Sequence, residues 1–246
     1  IDGKKRFLSP EDSIAIQERL GADMIFAFDE CTSPLHPHAH TKSAMERTHR
    51  WARRCLKART RGDQLLYGIV QGGRFKSLRT ASAKAIGAMP FDAFGIGGSF
   101  GKDEMRRTLQ WVVPHLHDEK PRHLLGIGTV ADIFTAVDMG IDTMDCVIPT
   151  REARHSRLYT SDGMLDIRKG IFARDTKKLD RLCHCPACSK NLRRKDLRAL
   201  FKSKNPEAGR LATMHNVWFF NSLMERIRAA LADSSYEKLK YRTLSE

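Results

Sequence analysis

The sequence predicts an α/β fold built on a parallel sheet, which is either doubly wound or part of a (β/α)8 barrel. Two observations predict this class. Runs that are apolar throughout, as in strands covered on both faces, alternate with stretches of helical periodicity along residues 1–150. Each run ends in glycine or polar residues, and both folds bind ligands at the carboxyl ends of such strands.

The elements follow one another in order along the chain. Five strands are predicted over residues 23–28, 65–70, 93–96, 123–127 and 143–148. Helices are predicted between them over residues 43–59, 78–86, 103–113 and 130–139. Beyond them, Asp162-Gly163 predicts the turn of a hairpin over residues 159–165. Apolar residues at helical spacing predict a last helix over residues 205–231, and the polar residues 232–246 are expected to fray.

The predicted strand ends carry residues that suit binding of a small, planar, polar molecule. These residues are Asp29, Gln71, Gly97-Gly98, Gly126 and Asp145. In the alternative interpretation, glycine and aspartate only terminate the strands, as they often do. Their recurrence at five successive ends favours a binding site.

Length and composition narrow the class of protein. The chain has 246 residues and a hydrophobic fraction of 41%, enough for a buried core and against wholesale disorder. No apolar run reaches the roughly 18 residues of a membrane span, and no signal-peptide pattern opens the sequence. A membrane or secreted protein is therefore disfavoured, and a cytoplasmic location is expected. The first residue is Ile1, so the chain is expected to be processed or to be a fragment.

The net charge of +14 is concentrated in the last hundred residues. Residues 1–150 carry 21 basic and 18 acidic side chains, whereas residues 151–246 carry 22 and 11. A basic surface attracts a polyanion, usually nucleic acid. A solubilising surplus of charge is the alternative.

Three of the six cysteines form a C-x-C-x2-C group that predicts a metal site. Cys183, Cys185 and Cys188 have poor spacing for disulfides but good spacing for zinc, which fits a reducing cytoplasm. His215, on the predicted last helix, is the better fourth ligand, because His184 between the cysteines points away from their shared ion. A closed Cys3His site predicts one structural Zn²⁺ per chain. Free thiols and a surface histidine are the alternative.

Several motifs occur together in the order seen in a known family. They are Phe28-Asp29-Glu30-Cys31, Val70-Gln71-Gly72-Gly73, Ile96-Gly97-Gly98, Leu125-Gly126-Ile127-Gly128, Asp145-Cys146-Val147-Ile148-Pro149-Thr150-Arg151 and the cysteine group with His215. In these motifs the chain resembles the tRNA-guanine transglycosylases of the bacterial queuosine-pathway type, from about Phe7 to Ile227.

The resemblance implies a (β/α)8 barrel, here with about five strand–helix units, and a zinc-binding subdomain near the C-terminus. Residues 1–160 would be the C-terminal portion of the catalytic barrel. Residues 161–204 would be the zinc subdomain, and residues 205–246 the helix with the histidine ligand and the tail. The implied reaction exchanges guanine at the anticodon wobble position of tRNA for a 7-deazaguanine. The family commonly acts as a homodimer.

The resemblance also implies roles for individual residues. Asp145 matches the nucleophile, a carboxylate that forms a covalent ester with the ribose. Substrate-binding positions match Asp29, Gln71, Gly98 and Gly126. Arg151 and Arg154 match the residues that hold the nucleotides flanking the wobble base. Arginine suits this role because its guanidinium group is charged and planar.

Three departures from the family pattern modify these expectations. The family's general acid/base aspartate, a base-stacking aromatic residue and about three barrel strands lie upstream of the segment that Ile1 begins. Either the chain is a fragment or the upstream part was lost, and no robust turnover is expected of the 246 residues alone. The loop of residues 99–101 is expected to be shorter than the corresponding loop of the family, which contacts the deazaguanine, so the base substrate stays open. His155-Ser156 stands where Asn-Gly is commoner.

Two other functional classes remain open at this stage. One is a non-catalytic RNA-binding or partner subunit of the same family, favoured by the expected lack of the upstream acid. The other is an unrelated zinc-containing, nucleic-acid-binding α/β protein, which would explain the charge and the cysteines but not the motifs at the strand ends.

Overall fold

The structure is a computed structural model that describes residue 3, residue 5, residues 7–98 and residues 102–245, of which 102 and 103 by their backbone only. The chain divides into two compact units, Ile1–Asp145 and Cys146–Glu246. Residues 146–160, assigned above to the barrel portion, group with the second unit. The division into barrel, zinc subdomain and C-terminal helix stays a prediction.

A parallel sheet of five strands forms the centre of the first unit. The strands are Met24–Phe26 (β1), Leu65–Val70 (β2), Ala93–Ile96 (β3), Arg122–Leu124 (β4) and Thr143–Met144 (β5). They lie side by side in chain order, each parallel to the next. A doubly wound sheet reverses its strand order partway across, whereas a barrel keeps chain order. The first unit is therefore a curled parallel half-barrel, and the doubly wound alternative is wrong.

All five predicted strands are present, but β1, β4 and β5 are shorter than predicted. β4 ends before Gly126, whose positive φ of 73° turns the chain out of the sheet. β5 ends at Met144, and a helix with Pro149 in its first turn begins at Ile148. Proline suits the first turn of a helix because its missing N–H would have no partner there.

In the described residues of the first unit there are five α-helices, of which the first precedes β1 and the other four connect successive strands. They are Pro10–Leu20 (α1), His38–Ala58 (α2), Lys76–Gly87 (α3), Lys102–Val112 (α4) and Val130–Asp138 (α5). The four predicted helices are confirmed. α1 was not predicted, although Ser9 and Asp12 form a capping box at its start and Pro10 is its first residue.

Alternation of side chains along the strands gives the sheet two distinct faces. One face packs beneath the helices through the buried residues Ile25, Leu66, Val70, Phe94, Ile96 and Leu124. The opposite face carries residues that pair in register across the strands: Phe26 with Tyr67, and Ile69 with Gly95, His123 and Thr143. This second face runs towards Asp145, two residues beyond Thr143.

The second unit combines a hairpin with helices. Its elements are Ile148–Arg154 (α6), Arg157–Thr160 (β6), Gly163–Asp166 (β7), Pro186–Ser189 (α7), Arg194–Lys202 (α8), Pro206–Ala232 (α9) and Tyr236–Leu244 (α10). The hairpin and the long helix α9 confirm the predictions. The expectation of a frayed tail is wrong, because α10 packs on α9. Tyr236, Leu239, Lys240 and Thr243 form its half-buried stripe at helical spacing.

No helix in the described ranges is both long and apolar enough to cross a membrane.

Candidate functional site

The carboxyl edge of the half-barrel brings together the residues predicted at the strand ends. Asp29, Gln71 and Gly98 follow β1, β2 and β3, and Gly126 and Asp145 follow β4 and β5. Since the five strands are neighbours in chain order, these residues follow one another along a single edge. Their roles stay predictions.

Asp29 and Gln71 are joined by a hydrogen bond. The Gln71 Nε2 donates to Asp29 Oδ2 at 2.6 Å, and the Gln71 backbone N donates to Ser82 Oγ at 3.1 Å. Gln71 is only 2% exposed. Burial raises the pKa of Asp29, and the hydrogen bond from Gln71 opposes that shift in part. The pair therefore presents hydrogen-bonding groups from a largely buried wall.

Gly98 lies where a larger residue would not fit. It has φ of 101°, and a Cβ there would come within 2.6 Å of Arg79 Nη2 and 3.1 Å of Gln71 Oε1. Residues other than glycine rarely adopt such a φ. Gly98 thus keeps the backbone close to Gln71. The neighbouring residues 99–101 lie outside the described residues, so the expectation about their loop is untested.

Arg79 was missed by the sequence analysis although it organises this wall. Its fully buried guanidinium donates to the carbonyls of Gly73 at 2.7 Å and Gly97 at 2.6 Å. Burial lowers the pKa of Arg79 to about 10, which leaves the group charged at neutral pH. Its signal in the sequence is its position on α3: Ser82 and Ile86, three and seven residues on, are buried too.

Asp145 is exposed beside two hydrogen-bond donors. The Gly126 backbone N donates to Asp145 Oδ1 at 2.9 Å, and His123 Nε2 lies 3.2 Å from the same oxygen. The Asp145 side chain is 60% exposed. Asp145 thus lies beside hydrogen-bond donors and not in apolar packing. His123 was missed, because the sequence does not show which face of β4 it occupies.

Arg151 and Arg154 lie in the last turn of α6 and are exposed. Three residues apart, they lie on one side of that helix. The turn that follows keeps a glycine-like backbone, because Ser156 has φ of 64°. Ser156 is buried, and its Oγ donates to Asp166 Oδ1 at 3.2 Å. The His155-Ser156 departure therefore preserves a left-handed turn.

The basic run at residues 193–195 is only partly available to a ligand. Arg194 forms an ion pair with Asp175 at 3.6 Å and donates to the Lys178 carbonyl at 3.0 Å. Its side chain is 12% exposed. These contacts hold Arg194 within the second unit, so its guanidinium is a poor candidate for binding a ligand.

Cys183, Cys185, Cys188 and His215 form one cluster in the second unit. Their ligand atoms all lie within 4.8 Å of one another. His215 Nδ1 lies 3.7 Å from Cys185 Sγ and 3.4 Å from Cys188 Sγ. A tetrahedral zinc with Zn–S of about 2.3 Å holds its ligands at comparable separations. The four side chains could hold a metal ion, and His184, as expected, is exposed and outside the cluster.

The surroundings of the cluster prepare it for a positive charge. Backbone N–H groups of Cys185 and Cys188 donate to Cys183 Sγ and Cys185 Sγ, both at 3.4 Å. Hydrogen bonds to Cys183 and Cys188 hold the pKa of the Cys185 thiol well below its usual range. Burial opposes a charged His215, but the sulfurs outweigh it and raise the pKa of His215 to about 10. The donor set therefore fits a thiophilic cation.

Hydrogen bonds to β6 fix both His215 and the next residue of α9. His215 Nε2 lies 2.7 Å from the Tyr159 carbonyl, which leaves Nδ1 to face the sulfurs. Fully buried Asn216 accepts from the Tyr159 N–H at 3.1 Å. Its amide donates to the carbonyls of Pro149 at 3.0 Å and Arg157 at 2.9 Å. Asn216 thereby joins α9 to α6 and β6, a role that its sequence context does not reveal.

Comparison with known proteins gives consistent results. A protein-family model described as queuine tRNA-ribosyltransferase matches residues 1–246. A relative from Archaeoglobus fulgidus is 46% identical over 244 residues. The match covers 95% of this chain and 60% of the length of that relative. Two proteins named queuine tRNA-ribosyltransferase, from Herpetosiphon aurantiacus and Halothermothrix orenii, are 45% and 44% identical. Each match covers 96% of this chain, and 61% and 64% of those proteins. The chain thus spans about three fifths of the length of these relatives.

Proposed function

The chain belongs to the queuine tRNA-ribosyltransferase family, and from this premise we propose that the protein exchanges guanine at the tRNA wobble position for a 7-deazaguanine. The observation that carries the proposal is the Asp145 carboxylate. It is exposed at the ligand-binding edge of the half-barrel, with Oδ1 held by the Gly126 N–H. A pentosyltransferase that retains a covalent intermediate needs a carboxylate placed in this way.

The proposed reaction consists of two displacements. An oxygen of Asp145 attacks the anomeric carbon of the ribose, the bond to guanine breaks with its electron pair, and guanine leaves after protonation. The incoming deazaguanine then attacks the same carbon and loses a proton. The ester bond breaks, and Asp145 is released as a free carboxylate. Because no step uses water as the nucleophile, one base replaces another without hydrolysis of the tRNA.

We assign base recognition to the wall formed by Asp29, Gln71 and Gly98. The carboxylate of Asp29 suits the N–H groups of the guanine amidine edge, and the Gln71 amide suits the region of the base carbonyl. Gly98 offers a backbone N–H. Gly126 would face the base or the ribose, since space for a side chain lies open beside it.

We assign tRNA binding to basic residues of the second unit, in particular Arg151 and Arg154. The support is their exposure and the surplus of 22 basic over 11 acidic side chains in residues 151–246. Affinity for an anticodon stem-loop should fall steeply with salt, because binding releases counterions from the phosphates. Affinity that barely changes between 50 and about 200 mM salt would contradict this assignment.

We propose that the Cys3His cluster holds one structural Zn²⁺. Four protein ligands would close the coordination sphere, so the ion would contribute to folding and leave no position for substrate. What supports zinc is the sulfur-rich donor set and the hydrogen bond that fixes the tautomer of His215.

We further propose a cytoplasmic homodimer. Val217 and Trp218 on α9 are 38% and 42% exposed, next to the packed rings of Phe219 and Phe220. Exposed aromatic residues beside a packed cluster are typical of interfaces. Light scattering at micromolar concentration should give twice the monomer mass, and a stable monomer would contradict the proposal.

A denaturing gel tests the central proposal. Full-length protein incubated with a tRNA anticodon stem-loop, without incoming base, should give an RNA–protein band that survives denaturation. Asp145→Asn should abolish the band while leaving fold and metal content unchanged. A band that persists in Asp145→Asn would exclude this residue as the nucleophile.

The second candidate function is a non-catalytic RNA-binding subunit, which the basic surplus of residues 151–246 favours. It predicts salt-dependent binding of the same stem-loop without any covalent band and without base exchange. The same gel, run beside a filter-binding assay, separates the two functions.

A further inference from the structure

Asp145 has two unlike carboxylate oxygens. Oδ1 accepts the Gly126 N–H at 2.9 Å and faces His123 Nε2 at 3.2 Å. Among the described residues, none donates a hydrogen bond to Oδ2. The carboxylate is thus held by one oxygen while the other stays accessible.

The proton positions on His123 follow from its two partners. An ionised carboxylate can only accept, so Nε2 must carry the hydrogen of the hydrogen bond to Asp145. A neutral imidazole then has an acceptor at Nδ1, which lies 2.9 Å from Thr143 Oγ1. The Thr143 hydroxyl therefore donates to Nδ1 and selects the tautomer in which Nε2 is the donor.

The ring of His123 is itself fixed in place. Its side chain is 12% exposed, and Phe26 meets it edge-on with ring centroids 5.3 Å apart. The ring of Tyr67, which packs against Phe26, also meets the His123 ring edge-on, with centroids 6.3 Å apart. His123 is also paired in register with Thr143 on the neighbouring strand. The donor therefore has little freedom to leave Asp145.

We propose that His123 is a positioning residue that, together with Thr143, holds Oδ1 of Asp145 so that Oδ2 is the attacking oxygen. This inference rests on the proposed function of Asp145. His123 exchanges no proton during the reaction: Oδ2 forms the bond to the ribose carbon, and the electron pair of the broken bond leaves with the base. When the ester later breaks, the same two donors stabilise the departing carboxylate.

Three variants separate positioning from mere packing. His123→Phe keeps a flat ring beside Phe26 and Tyr67 but removes the donor. His123→Gln keeps an amide donor near the position of Nε2. Thr143→Val removes only the hydroxyl that selects the tautomer.

Kinetics of base exchange by the full-length protein give the first test. We expect His123→Phe to lower kcat by about 100-fold, the scale of a small misplacement of a reacting group. KM for tRNA should stay within about twofold, since the residue does not bind RNA. His123→Gln should restore most of kcat, and Thr143→Val should lie between. An unchanged kcat in His123→Phe would overturn the proposal. So would equal losses of kcat in His123→Phe and His123→Gln, provided that both variants melt at the temperature of the wild type.

A second test needs no turnover. In ¹⁵N spectra of the imidazole, His123 of the wild type should show a protonated Nε2 and an unprotonated Nδ1. Thr143→Val and Asp145→Ala should each move these shifts towards a mixture of tautomers. A protonated Nδ1, or a mixture already in the wild type, would overturn the proposal. If the wild type exchanges no base, the proposed function fails, and the spectra still decide whether His123 holds Asp145.

Discussion

Replacement of Asn216 by leucine should destabilise the second unit strongly. The side chain is fully buried and makes three hydrogen bonds, to Tyr159, Pro149 and Arg157. Leucine has a similar shape, so the change removes the polar contacts with little loss of packing. At about 1 kcal/mol net for each hydrogen bond, the expected loss in the free energy of unfolding is about 3 kcal/mol.

Urea unfolding followed by circular dichroism and tryptophan fluorescence measures this loss. With a slope of about 2 kcal/mol per molar urea, the midpoint should fall by about 1.5 M. Asn221→Leu is the matched control, because Asn221 is exposed on the same helix and should change stability by less than about 0.5 kcal/mol. An Asn216→Leu protein as stable as that control would refute the reasoning.

Three further predictions follow from the two sites. Gly98→Ala should lower the urea midpoint more than Gly126→Ala. Both glycines have positive φ, but only at Gly98 would the new Cβ meet other atoms. Equal falls in the urea midpoint for the two variants would contradict the close approach of Arg79 and Gln71 to Gly98. Because burial raises the pKa of Asp29, the wild type should lose stability as pH rises from about 4 through that pKa, whereas Asp29→Asn should not. If the urea midpoints of the two proteins differ by the same amount at every pH from about 4 to 7, the prediction is contradicted. Cys185→Ser should lose bound zinc and unfold the surroundings of the cluster, whereas His184→Ala should keep one zinc per chain in metal analysis.

The sequence places the polar residues of the carboxyl edge correctly because local signals indicate them, although β1, β4 and β5 end earlier than predicted. Apolar runs followed by polar residues indicate where a buried strand stops, so Asp29, Gln71 and Asp145 could be placed at one edge. The cysteine cluster is local as well, since Cys183, Cys185 and Cys188 lie within one turn of chain.

What the sequence does not predict depends on register and on contacts between distant elements. The contact of His123 with Asp145 requires the side-by-side register of β4 and β5. The role of Arg79 requires α3 to pack so that its guanidinium reaches the ends of β2 and β3. The helix α10 was missed for another reason: its polarity concealed a short stripe of half-buried residues that gains stability only by packing on α9.

The two hydrogen bonds from α9 to Tyr159 limit how the length of this protein can change in evolution. His215 and Asn216 reach opposite polar groups of the same residue, one its carbonyl and the other its N–H. Insertion of one residue between Pro206 and His215 would rotate both by about 100° around the helix axis. Insertions before Pro206 or after Ala232 would leave the orientation of both side chains around the helix axis unchanged. Homologous sequences should therefore vary in length at the ends of α9 and not within its first ten residues.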